Sequence, residues 1–411
     1  MTKLVKLAWR DIWRNRRRSL LTMGAIVFAV FFISITSSLQ YGTFDTMEEL
    51  VVRLFSGDLQ VHRAGFQDER TFSYSMETAE QDWAQRFAAY PWIEASSRRL
   101  SGYGLVSSDA SSAGAMIVGI EPETESQIST FAHRTVEGEK LDANDDHAVV
   151  LGETLAKNLD LALGDSVVVL TNGFRGVMGA DLYAVKGLLR TGSPDVDRSM
   201  ILITLPDAQY LFSMEDRFTE IVLRTRDFRG AETYAVTLRE ALGADRYEVI
   251  AWKEMMPEMQ QMRALKFAGN YILYFFLLLL IGFEIFNTTT MSMMERVREF
   301  GMMMSIGMKP RQISLLVGLE LTMKVVLALL VGLGITFLIV WLLKDNPIPV
   351  TGDLQQMYQD LGFTIEGISF SARPAVFVFP MVSVTVIALA SMVYPILRLR
   401  RFSPVEALRT T

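Results

Sequence analysis

Apolar residues in this chain gather into four long uncharged runs. Arg18 and Asp45 enclose 26 uncharged residues, Lys266 and Glu284 enclose 17, Lys324 and Lys344 enclose 19, and Arg373 and Arg398 enclose 24. The second run stays mainly apolar as far as Thr290. A helix needs about 20 apolar residues to cross a bilayer. The pattern therefore predicts four transmembrane helices, over 20–41, 267–290, 314–343 and 375–397. Ahead of the first, Lys3–Leu20 interleaves basic residues with Leu4, Leu7, Ile12 and Trp13. That spacing predicts an amphipathic helix over 1–19 that lies on the membrane surface. The remaining segments are a large domain over 42–266, a short helical loop over 291–313, a loop over 344–374 and a tail over 398–411.

The large domain reads as mixed. Phe44, Met47, Leu50, Val51 and Leu54 recur at helical spacing, so 42–55 continues the first span as a stalk. Residues 252–266, with Met255, Met259 and Met262 on one face, form a second stalk. Between them Asp58–His62, Ala115–Ile120, Ala148–Leu151, Ser166–Thr171, Leu182–Leu189, Met200–Thr204 and Thr219–Thr225 read as strands. Ala79–Ala89, Glu153–Leu159, Pro206–Phe212 and Arg229–Leu242 read as helices. The expectation is an α+β domain with two lobes, carried on helical stalks.

Composition narrows the function. Half the residues are hydrophobic and 21% are charged, which excludes a disordered chain. The absence of cysteine removes disulfides, thiolate metal sites and cysteine catalysis. His62, His133 and His147 show no metal-ligand spacing and are expected on the surface or in loops. No metal site is expected, and no G-x-S-x-G or similar context frames a catalytic residue. Charge sets the topology. Segments 1–19, 291–313 and 398–411 carry 15 basic and 4 acidic side chains, whereas 42–266 carries 22 basic and 36 acidic ones. The positive-inside rule places both termini and 291–313 in the cytoplasm, and 42–266 and 344–374 outside. The basic residues sit at membrane edges beside anionic lipid, so no nucleic-acid partner is expected.

Three features invite function. The loop Thr171–Ala180 reads TNGFRGVMGA between two strands; Phe174, Val177 and Met178 either fold back on the domain or grip a partner. Glu284 in the second span, with Glu320 and Lys324 in the third, lie roughly 9–16 Å from the cytoplasmic side. Such charges are paired or face protein, so they serve as an ion-paired lock, a relay of motion or a proton path. Phe28, Phe31, Phe32 and Ile35 on the first span, with Phe275, Phe276, Leu279 and Phe283 on the second, provide packing bulk or a greasy cleft for acyl chains. No G-x-x-x-x-G-K-[ST] sequence occurs, so any ATP-driven motor is a separate subunit.

Four stretches together resemble the FtsX-like ABC transporter permeases, a family that includes the MacB exporter and the lipoprotein-releasing Lol permeases. They are LAWRDIWRNRRRSLLT, ERVREFGMMMSIGMKPRQI, VVLGETLAKNLDLALGDSVVVL and the ending SPVEALRT. The arrangement of one span, a domain and three further spans is similar too. The resemblance implies a type VII permease that works by mechanotransmission. It implies a cytoplasmic ATPase dimer that holds the ATP and magnesium, and a second permease, identical or related. Glu295, Arg298, Glu299, Phe300 and Gly301 would occupy the helix that couples to the ATPase. MacB carries a fused ATPase domain and FtsX a much smaller external domain. The likeness thus leans to the Lol permeases of the inner membrane, with lipoprotein as substrate and a periplasmic carrier or adaptor at the loop 171–180. Export of another amphiphile, or envelope signalling, is the alternative.

Overall fold

Among the described residues four helices are long and apolar enough to cross a membrane, and their bounds follow local rules. The computed structural model describes residues 2–80, 82–349, 351–352 and 367–400. The ending SPVEALRT lies outside the described residues. An N-terminal helix, Thr2–Arg14, breaks at Asn15 before the first long helix, Arg16–Val51. That helix continues through one wide turn, Val52–Ser56. The second long helix is Pro257–Glu295, the third Pro310–Leu343 and the fourth Pro374–Arg400. Proline opens three of them, where its missing N–H costs no helical hydrogen bond. Pro257 also forces Met256 out of the helical region, so the second stalk is two pieces, Trp252–Met255 and the start of the long helix.

Two compact units result. One comprises Met1–Asp45, Met262–Pro349 and Gly367–Thr411; the other comprises Thr46–Gln261 and Val350–Glu366. In the membrane unit, Ile26 and Val30 pack with Ile281, Ile285, Leu321, Val325 and Ala388 from the other three spans. Small residues let the helices close. A Cβ added at Gly282 would lie 2.9 Å from Ile387, and the Ser391 hydroxyl donates to the Gly282 carbonyl at 3.0 Å. Toward the other end, the Ser37 hydroxyl donates to the Tyr274 hydroxyl at 3.1 Å, and Arg373 pairs with Asp45 at 2.7 Å.

The second unit is an α+β domain with twelve strands among its described residues: β1 Leu59–Arg63, β2 Met76–Glu77, β3 Ile93–Ser107, β4 Ser112–Ile120, β5 Thr135–Gly138, β6 Ala148–Gly152, β7 Ser166–Asn172, β8 Met178–Leu189, β9 Met200–Thr204, β10 Arg217–Phe218, β11 Glu220–Thr225 and β12 Tyr247–Ala251. Ten form one sheet in the order β12-β1-β11-β3-β4-β9-β6-β8-β5. The tenth strand, β7, pairs with both β3 and β8. The strands β3, β4, β9, β6, β8 and β7 therefore close a ring. Inward-facing Val106, Ile117, Val149, Val169, Val185 and Ile201 fill it. The open half, β12-β1-β11 with the start of β3, buries its own core under the helices Trp83–Ala88 and Ala231–Leu242. The two expected lobes share one sheet, which also carries a third core cluster that includes Val118, Ile120, Phe131, Val150 and Leu202.

The sequence pattern misses β3, although it has 15 residues and partners on both sides. Its run of Ser96, Ser97, Arg98, Arg99, Ser101, Gly102 and Gly104 hides any apolar alternation. Arg99 explains part of this, because it is a fully buried cation. Its guanidinium donates to both oxygens of Glu125, at 3.0 and 2.6 Å, and to the Phe55 carbonyl at 2.7 Å. The rings of Phe55 and Phe131 lie 4.7 and 5.3 Å from it. Burial alone would raise the Glu125 carboxyl, but Arg99 and Ser129 outweigh it and hold it below the ordinary value.

Removing one member of a buried pair costs about 3–5 kcal/mol. Arg99→Met is expected to lower the domain's stability by about that much, read by pulse proteolysis of the full chain in lipid nanodiscs. The sign with pH follows from the depressed carboxyl. The pair's contribution is complete above the ordinary carboxylate pKa and disappears as pH falls through the lower folded value. The variant is expected to lose that acid sensitivity.

Candidate functional site

The helix that crosses the membrane from Pro257 stops at Glu295, and a separate short helix, Val297–Ser305, follows. Arg296 sits at the break and is buried. Its guanidinium donates to Asp11 at 2.5 Å, to Glu320 at 2.9 Å and to Glu299 at 3.2 Å. One side chain thus joins the N-terminal helix, the short helix and the third span. Glu320 also accepts from Lys324 at 2.8 Å. Asp11, Arg296, Glu320 and Lys324 balance to zero charge, which is how buried charges are tolerated near lipid. Burial works against the Arg296 charge, but Glu320 and Asp11 overcome it and hold its pKa above the ordinary value.

Two further pairs flank this centre. Arg14 reaches both oxygens of Glu299 at 2.8 and 2.6 Å, and Arg18 reaches both oxygens of Glu295 at 2.5 and 2.8 Å. Burial would raise the Glu299 carboxyl; the hydrogen bonds from Arg14 and Arg296 reverse that and lower it. The N-terminal helix is held on its other residues as well. Ala8, Asp11 and Ile12 face the bundle at i, i+3, i+4 spacing, while Trp9 and Trp13 are exposed and meet edge to face at 5.9 Å. Exposed tryptophans at this place suit the lipid interface.

The short helix has two faces. Phe300 and Gly301 turn inward, and Phe300 packs with Met293, Ile313 and Val317. Arg298, Met302 and Ile306 turn outward at helical spacing; Ile306 is 85% exposed. Gly307, with φ of 103°, ends the helix in the left-handed region, and Pro310 opens the next span. Of the five residues singled out for coupling, only Arg298 is exposed without an ion pair among the described residues. Glu295 and Glu299 are tied to arginines, and Phe300 and Gly301 position the helix from within. Met302 and Ile306 went unnoticed in the sequence; their signal is the i+4 and i+8 spacing from Arg298. Asp11 and Arg296 also went unnoticed. Asp11 is the one acid among seven basic residues before the first span, and that was the available clue.

The other predicted sites divide. The pairing of Glu320 with Lys324 is present, but within one helix, and the tie to the second span runs through Arg296. Glu284 stands apart and accepts from Thr288 at 3.0 Å on its own helix. Among the described residues no ring contact joins Phe28, Phe31 or Phe32 to Phe275, Phe276 or Phe283. Phe28 stacks on Phe32, and Phe275 meets Phe276, each within its own helix. Phe275, Phe276, Leu279 and Phe283 form an exposed face, because Tyr274, Ile281 and Ile285 are the residues turned to the bundle. Phe31 and Ile35 are half-buried.

In the loop of the other unit, Phe174 turns in: its N–H donates to the Phe212 carbonyl at 2.7 Å, and Arg217 lies over its ring at 5.1 Å. Val177 and Met178 turn out, and Met178 is 76% exposed. His62 departs from expectation. It is buried in β1, stacks on Phe66 at 4.9 Å and meets Gln60 at 3.1 Å. His133 and His147 are exposed. Among the described residues no cluster of three or more His, Asp or Glu could hold a metal.

Two family profiles match this arrangement. Residues 19–241 match the MacB-like periplasmic core domain, and residues 271–404 match the FtsX-like permease C-terminal region. The chain belongs to the FtsX-like, MacB-type permease family. It is an ABC-type permease of the inner membrane with a periplasmic domain. Among curated relatives, the lipoprotein-releasing system transmembrane protein LolC of Xylella fastidiosa (strain Temecula1) is 24% identical over 309 residues, 72% of this chain and 73% of its own. LolC of Neisseria meningitidis serogroup B is 21% identical over 224 residues, 53% of this chain and 54% of its own. Among solved structures, the periplasmic region of MacB from Actinobacillus actinomycetemcomitans aligns with a TM-score of 0.36 and 14% identity, over 51% of this chain and 95% of that one. The extracellular domain of the transporter YknZ aligns with a TM-score of 0.34 and 13% identity, over 47% of this chain and 100% of that one.

The charge centre predicts a graded response. Arg296→Met leaves Asp11 with only Arg14 at 3.8 Å and Glu320 with only Lys324 at 2.8 Å, and is expected to cost about 3 kcal/mol or more. Lys324→Met is expected to cost less, because Glu320 keeps Arg296. Protease resistance of the permease in nanodiscs, followed with temperature, reads both. Equal losses in the two variants would remove Arg296 from the centre of the network.

Proposed function

We propose that this chain is one permease half of a machine that extracts lipoproteins from the inner membrane for transfer toward the outer membrane. A separate cytoplasmic ATPase drives it, and a second permease, identical or related, completes the pair. The observation that carries the coupling is the Arg296 centre, which braces the short helix 297–305 against two other helices. A braced helix with an exposed Arg298, Met302 and Ile306 stripe can pass a push from a motor without bending. The substrate rests on the likeness to LolC, a transmembrane protein of the lipoprotein-releasing system.

The energetics fit a driven process. Burial of an acyl chain is worth about 0.8 kcal/mol per CH₂, so removing several chains from a bilayer costs tens of kcal/mol. The exposed Phe275, Phe276, Leu279 and Phe283 face would shelter such chains on the side shared with the partner permease. The exposed Val177 and Met178 tip would engage a periplasmic carrier, as apolar methionine surfaces adapt to varied partners.

Two experiments test this reading. Arg298→Glu combined with Met302→Asp is expected to weaken ATPase binding by about tenfold or more, in co-purification from membranes, with the permease still folded. Unchanged binding would move the motor contact elsewhere. A photoreactive residue at Met178 is expected to capture a lipoprotein carrier or a lipoprotein in cells. Capture of an adaptor or an envelope enzyme instead would favour export or signalling.

A further inference from the structure

The periplasmic domain contains a cavity whose lining does not include the exposed tip residues Val177 and Met178. Its volume is about 570 Å³, inside the range of about 300–1,000 Å³ typical of small-molecule sites. Sorted by exposure, its lining forms three zones. The floor is buried and polar: Gln60, His62 and Glu220. Gln60 meets His62 Nε2 at 3.1 Å and the Ser101 hydroxyl donates to Glu220 at 2.8 Å, while His62 Nδ1 is buried with no hydrogen-bond partner among the described residues. The wall is apolar: Phe66, Phe72, Met116, Phe174 and Met255. The mouth carries two exposed arginines, Arg70 and Arg175.

Those arginines are unusual in two respects. Neither forms an ion pair with any of the described residues. Both hold left-handed backbone conformations, with φ of 46° and 57°. Non-glycine residues reach that region at a cost, and such strain gathers where a site must hold a group in place. Arg175 follows the inward-turned Phe174, so the loop that presents Met178 outward also contributes wall and mouth to the cavity. Two forked cations above an apolar wall are the chemistry that recognises a carboxylate or phosphate on a hydrocarbon tail.

We infer that this cavity binds a single-chain anionic amphiphile, with its tail among Phe66, Phe72, Met116 and Phe174 and its head between Arg70 and Arg175. A cavity of about 570 Å³ is large enough for one fatty-acyl tail. The inference concerns the periplasmic unit alone and stands apart from the identity of the substrate moved by the membrane unit.

The test uses the full-length permease in nanodiscs of zwitterionic lipid. The probe is a palmitate analogue with a diazirine in its tail and an alkyne at its end, and adducts are mapped by mass spectrometry. Adducts are expected on peptides that contain Phe72, Met116 and Phe174. Palmitate is expected to compete about tenfold better than neutral hexadecanol, as loss of charge-assisted bonds implies. Arg70→Gln with Arg175→Gln is expected to reduce labelling of those peptides about tenfold, and Met116→Trp to abolish it by filling the cavity. Lysophosphatidic acid competing better than palmitate would identify a phosphate head; the reverse would identify a carboxylate. Adducts confined to the membrane-spanning helices, or equal competition by palmitate and hexadecanol, would overturn the inference. The competition experiment needs no variant, so a misfolded substitution leaves it decisive.

Discussion

Arg296 occupies the point where a membrane-spanning helix ends and a short lever begins. A cation there must either reach water or find anions, and Arg296 finds three. Because its plane of donors serves Asp11, Glu299 and Glu320 together, the break in the helix becomes a fixed corner and not a hinge. The orientation of the short helix 297–305 follows from this, and with it which residues face outward. Replacing the guanidinium by an ammonium would not reproduce the corner, since a point charge lacks the fork that spans three partners.

Much of the membrane unit was legible in the sequence, because lipid imposes a simple rule. Uncharged runs of sufficient length are helices, and basic flanks orient them. The contacts between helices were less legible. The aromatic residues on the first two spans looked like a cleft, yet the bundle face of the second span is built from Tyr274, Ile281 and Ile285. Period alone cannot distinguish a lipid-facing phenylalanine from a packed one, since both faces of a span are apolar. The charge centre was half legible. Glu320 and Lys324 stand out within an apolar run, whereas Arg296 and Asp11 sit among other charges and gain their meaning only from the fold.

The periplasmic domain was legible strand by strand, but its closure was not. β6, β7, β9 and β11 announce themselves as β-branched runs. β3 does not, because it is held by ladders on both sides and carries the buried Arg99 along with serines and glycines. A strand whose place is fixed by its neighbours has little need of its own apolar pattern. The same applies to Phe174, which reads as part of a loose glycine loop. Its backbone bond to Phe212 turns it into a wall of the cavity and leaves Met178 to solvent.

The closed ring of strands bears on how this domain carries load. A hairpin at the rim of an open sheet can be peeled away one hydrogen bond at a time. Here β7 is bonded to β3 and β8 is bonded to β6, so a pull applied at residues 173–177 meets two ladders in parallel. The tip can then tug on a partner, or be tugged, while the sheet behind it stays intact. The ring makes a small exposed loop a firm handle.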